Sequence, residues 1–87
     1  MKVSVWDTYV KRQDGLIMHF DILVNSKITD HVKILDFGRA YLKSKPFNSD
    51  ELTSKECLFC HIESASRTVL TEIETKDYAI IEMENCN

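Results

Sequence analysis

The sequence predicts an α+β fold, a two-layer α/β sandwich in the order β-β-α-β-α-β. Three observations carry this. Residues 2–9 alternate apolar and polar side chains, and residues 16–24 put an apolar residue at every even position, around an Asp-Gly turn, the pattern of a hairpin. Residues 29–43 carry apolar residues at helical spacing. A strand, a short helix and a strand then follow in close succession.

Val3 and Val5 point one way from the first strand, and Ser4, Trp6 and Thr8 the other. Lys11-Arg12-Gln13-Asp14-Gly15 is a polar turn, in which Gly15 can take the positive φ that closes a hairpin. Leu16, Met18, Phe20, Ile22 and Val24 then share one face, the clearest core stripe in the chain. If both strands bury their apolar side, Val5 stands opposite Phe20 and Trp6 opposite His19. That register turns Asp7 inward, a misfit that needs a cap or a bulge.

Thr29 is placed to cap the first helix, with Asp30 in its first turn. Ile34, Leu35, Gly38, Tyr41 and Leu42 form its single stripe, and Gly38 lets it lie close to the sheet. Pro46 prevents continuation. Residues 46–55 read as a polar loop. Residues 57–63 read as a strand with Leu58, Cys60 and Ile62 inward and Cys57, Phe59, His61 and Glu63 outward. A helical alternative would put Cys57, Cys60 and His61 on one face. Ser66 caps the second helix, which carries Val69, Leu70 and Ile73 and ends near Lys76-Asp77. Tyr78–Met83 is nearly continuous in apolar residues and so suggests an interior strand.

A right-handed parallel crossover between the last two strands would make the sheet mixed. Both helices would then cover one face of this four-stranded mixed sheet. The other face would stay open, lined by Trp6, Thr8, His19, Asp21, Phe59 and His61.

Length and composition bound the function. The 87 residues make one domain, spanning 1–87, with a thin core. With 44% apolar and 29% charged residues the chain is an ordinary globular one. A net charge of −3 with dispersed Lys and Arg argues against nucleic acid as a partner. No apolar run is long enough for a membrane span. The alternating N-terminus does not resemble a signal peptide. An odd number of cysteines, three, fits a cytoplasmic location where thiols stay reduced.

Chemistry concentrates in Cys57-Leu58-Phe59-Cys60-His61. Cys-x-x-Cys is the usual half of a zinc site, and His61, Cys86 and His19 are further candidate ligands. The metal candidates are therefore Cys57, Cys60, His61, Cys86 and His19, with zinc as the ion. In a regular strand Cys57 and Cys60 face opposite ways, so Cys60 also reads as a small buried hydrophobe and Cys57 as a surface thiol. A thiol redox pair lacks the helix N-terminus that would activate it. The c-type haem pattern Cys-x-x-Cys-His is a textual match without the export it needs. Trp6, His19, Asp21, Phe59 and His61 on the open sheet face form the second candidate site. There a histidine beside a carboxylate suits acid–base or metal chemistry. Alternation on a solvated strand also produces such sets by chance, so the reading leans away from an enzyme. The expectation is a small cytosolic binding domain, with zinc held by the Cys-x-x-Cys-His stretch. The alternative is a metal-free interaction module, a homodimer or a partner-binding domain that uses the open face or an edge strand.

Asp7-Thr8-Tyr9-Val10, Asp14-Gly15, Met18-His19-Phe20-Asp21, the Cys57-to-His61 stretch and Met83-Glu84 with Cys86 occur in an order and spacing that resemble a family. It is the family of small bacterial proteins known as domain of unknown function 2024. The resemblance spans nearly the whole chain and implies a small bacterial cytosolic α+β domain. It implies no activity. Asp77 and Asn85 stand where the family's pattern leads one to expect glycine, in turns rather than at a candidate site.

Overall fold

In the computed structural model, which describes residues 1–87, the chain begins with the expected hairpin. Strands β1 (Lys2–Lys11) and β2 (Ile17–Asn25) pair antiparallel. Helix α1 (His31–Lys43), strand β3 (Cys57–Ser64), helix α2 (Arg67–Lys76) and strand β4 (Ala79–Glu84) follow. The α+β class and the element order are those that the sequence predicts. The sheet order is β3-β1-β2-β4.

Three details differ from expectation. First, every neighbouring pair is antiparallel, so the sheet is not mixed. The β3–α2–β4 unit links the two opposite edges, so it cannot form a close parallel crossover. β4 is accordingly an edge strand, and only its Ala79 is buried.

Second, the hairpin register is shifted. Lys11 pairs with Ile17, Trp6 with Ile22 and Val5 with Leu23. The turn is tight: the Gly15 amide donates to the Arg12 carbonyl, the Arg12 amide to the Leu16 carbonyl, and Gly15 has φ of 93°. Even positions of β1 now oppose even positions of β2. Val10, and not Val3 or Val5, joins the Met18, Phe20, Ile22 and Val24 stripe.

Third, the helices do not share a face. α1 packs Ile34, Leu35 and Tyr41 on the even-numbered stripe, together with Leu52, Cys57 and Cys86. α2 packs Val69 and Ile73 on Val3, Val5, Leu23 and Ala79, which project from the opposite side. The register explains this. Val3 and Val5 are apolar on the reverse face and need their own cover. The face expected to be bare is therefore half roofed, and Leu16, expected in the core stripe, is exposed.

Local signals set the helix ends. Asp30, one residue beyond the expected Thr29, caps α1 by accepting from the Val32 amide. Ser66 caps α2, accepting from the Val69 amide. Asp77 closes α2 in the left-handed region, with φ of 72°. At Gly38 a Cβ would come within 2.5 Å of Leu52 Cδ2 and 2.9 Å of Ile22 Cδ1, so the absent side chain sets how near α1 lies. The polar-looking 44–56 connection returns Leu52 to the core and lays Phe47 under the Arg12 guanidinium. Tyr41 of α1 and Lys45 just beyond it both donate to Glu82, tying the end of the helix to β4. These bonds hold the Glu82 carboxyl below its usual range, while burial and the bond to Glu82 push the Tyr41 phenol up.

Candidate functional site

The half of the reverse face that α2 leaves uncovered gathers the titratable groups of the central strands. Asp7 and Asp21 stand directly opposite each other, and Tyr9 stands opposite His19. Directly opposed side chains in an antiparallel pair lie close, and diagonal ones remain within reach of long groups. His19 Nε2 reaches diagonally to 2.5 Å from Asp7 Oδ1 and lies 4.0 Å from Asp21 Oδ1. One ligand atom from each of Asp7, His19 and Asp21 fits within 4.8 Å of the others. The Tyr9 ring stacks on His19, with centroids 4.1 Å apart and planes 11° apart, which fixes the imidazole plane.

Two carboxylates this close cannot both ionise cheaply. Asp21 shows the result: its pKa is pushed up to about 6, first by partial burial, then by its hydrogen bond to Asp7 and the charge there. His19 and His61 pull it partly back. The Tyr9 phenol is also raised, by desolvation and then by Asp7, Glu84 and Asp21. The cluster is thus a small anionic platform that keeps its proton up to about pH 6, well above the usual carboxylate range.

The remaining candidates are scattered. Cys57 is fully buried in the α1-side core, beside Thr8. Burial raises its thiol pKa, against a hydrogen bond with Thr8. Its carbonyl oxygen lies 3.0 Å from His31 Nε2. Leu58, Phe59, Cys60, His61 and Ile62 are all exposed, because β3 is an edge strand and only its first residue is buried. This reverses the expected inward set Leu58, Cys60 and Ile62. Cys86 is buried beside the start of β2, across both central strands from Cys57, where its thiol faces the carbonyls of His19 and Glu84. Cys57, Cys60, His61 and Cys86 therefore do not form one ligand set, and all three cysteines are free.

The second candidate set is split by the sheet. Trp6 and Phe59 lie on the α1 side, where Trp6 packs against His31 at 4.8 Å and edge-on against Phe59 at 5.6 Å. His19, Asp21 and His61 lie on the other side, His61 opposite Val5. Asp7 and Tyr9 complete the cluster and were not among the candidates. Their signal was Asp7 itself, the residue that fits badly inward in the unshifted register. No helix is long and apolar enough to cross a membrane.

The sequence model of the family described as "Domain of unknown function (DUF2024)" matches residues 1–83. The NMR structure of protein NE1680 from Nitrosomonas europaea is similar over the whole of both chains, at 39% identity and a TM-score of 0.81. No curated protein matches the chain.

Proposed function

The chain belongs to the DUF2024 family, whose description assigns no activity, and from the geometry of its sheet we propose that it is a small binding domain for one divalent metal ion, held by Asp7, His19 and Asp21. The observation that carries this reading is the convergence of three ligating side chains from two central, well-packed strands. An imidazole with two carboxylates suits zinc among common biological ions. Three protein ligands leave a fourth position open for water or a ligand group. The crowding of Asp7 and Asp21, which raises the Asp21 pKa to about 6, is the kind of charge repulsion that a bound cation would relieve. Stacking on Tyr9 restrains the ring, as outer contacts do at metal sites. The three free cysteines fit a reducing, cytoplasmic setting.

Calorimetric titration with zinc tests this. One ion should bind per chain, more weakly as pH falls through about 6, where the proton on Asp21 competes. His19→Ala should abolish the heat. An unchanged titration in that variant, or no binding by the parent protein, ends the reading.

A second reading has its own observation. On the outer strand β3, Leu58, Phe59 and Ile62 are each more than half exposed, at 61%, 53% and 55%. An apolar edge strand is a template for pairing with another chain, most simply a second copy. Sedimentation at rising concentration should then show a dimer that Phe59→Lys removes, and a strict monomer would refute self-association.

A further inference from the structure

Strand β3 carries a second group of titratable side chains, on the same face as Asp7, His19 and Asp21 but sharing no residue with them. Successive residues of a regular strand point to opposite faces, so Cys60 and His61 should part. The pairing with β1 slips between Val5 and Trp6: His61 stands opposite Val5, Phe59 opposite Trp6, and Cys60 is the extra residue. A bulge of this kind re-aims a side chain. It leaves Cys60 Sγ 3.1 Å from His61 Nδ1. The other ring nitrogen, Nε2, lies 2.6 Å from Glu63 Oε1. A proton on Nε2, donated to that carboxylate, leaves Nδ1 free to accept from the thiol. Thiol, imidazole and carboxylate thus stand in the order of nucleophile, base and orienting group.

Two further observations narrow the chemistry. The array is exposed, so an incoming molecule reaches Sγ without any opening of the fold. The other two cysteines are buried in the α1-side core, so neither is available to resolve an adduct at Cys60. Chemistry at this sulfur therefore stops at a bond to an outside partner.

We propose that Cys60 is a single-cysteine thiol–disulfide exchange site for low-molecular-weight disulfides, with His61 as its proton acceptor and Glu63 as a positioning residue. The Sγ proton passes to His61 Nδ1, and Sγ attacks one sulfur of the incoming disulfide. The new S–S bond forms as the old one breaks. The departing thiolate takes the proton from Nδ1. The products are a mixed disulfide on Cys60 and one free small thiol, and excess small thiol reverses the step. Asp7, His19 and Asp21 take no part, so this proposal and the metal reading fail independently.

The test is the rate at which the intact chain exchanges with an aromatic disulfide, dithiobis(nitrobenzoate), with the labelled cysteine located by mass spectrometry. One fast thiol, Cys60, is expected. His61→Gln should slow it by roughly tenfold, less than a buried base contributes because the array is exposed. Glu63→Gln should slow it less and should shift the His61 ring away from the Nε2–H tautomer, read by ring-nitrogen NMR. All three side chains are exposed, and circular dichroism checks that each variant folds. An equal rate in parent and His61→Gln would mean that exposure alone makes Cys60 reactive, and would overturn the proposal. So would a His61 ring indifferent to Glu63→Gln.

Discussion

The two faces of the sheet are built from the same strands and are used differently. On the α1 side, Val10, Met18, Phe20, Ile22 and Val24 run buried along the whole of β2 and the end of β1. On the α2 side, burial stops after Val3, Val5, Leu23 and Ala79, and charged residues take over. Length explains the difference. α1 has 13 residues and spans about 20 Å at 1.5 Å per residue, and the 44–56 connection extends its cover through Leu52. α2 has 10 residues and spans about 15 Å, roughly half of the nine-residue β2 at about 3.3 Å per residue. What the short helix cannot reach stays partly open, and carboxylates and imidazoles persist there half-buried. The continuous face holds the fold, and the interrupted face leaves room for chemistry.

Substitutions can break or sharpen that contrast. The largest effect belongs to the continuous face: Phe20→Ala should cost about 3–5 kcal/mol in urea unfolding. Ile73→Ala under the short helix should cost about 2 kcal/mol, the low end for such a truncation, because the site opens toward solvent on one side. Equal losses at the two positions would break the contrast. Ser66→Ala removes the α2 cap and should cost about 1 kcal/mol. Hydrogen exchange should then quicken at Val3 and Leu23 before it does at Phe20.

A smaller effect has a sign that depends on pH. The folded chain raises the Asp21 pKa from 3.8 to about 6, so it holds a proton that the unfolded chain releases. The stability tied to that proton is complete below 3.8 and is lost as pH rises through about 6. Asp21→Asn has nothing to release, so its urea midpoint relative to the parent should climb across this window and level off above it. A constant difference would show that the two aspartates do not share a proton. The smallest effect should be Leu58→Lys on the edge, within about 0.5 kcal/mol, since the side chain is already in water.

The elements were legible in the sequence because their signals are local. Alternation marked the hairpin, Ser66 and Pro46 marked helix limits, and Asp77 stood at the observed end of α2. The pairing was not legible, because β1 has apolar residues on both faces: Val3 and Val5 on one, Trp6 and Val10 on the other. Alternation alone then accepts two registers, and only the turn around Gly15 decides between them. Which face each helix covers follows from that register and not from the helix's own stripe. The candidate site inherits the same gap. His19 and Asp21 were visible as a pair, but Asp7 joins them only once the strands are correctly aligned. The bulge beside Cys60 is likewise a property of two strands together, and no spacing within 57–61 announces it.

β3 is held to β1 by main-chain bonds, and Cys57 is its only side chain inside the protein. Apart from Phe59, which packs on Trp6, residues 58–64 can thus be exchanged widely for anything but proline while the scaffold stands. A library of randomised side chains at those positions would be displayed on a rigid rail, which makes this margin a practical place to install new recognition.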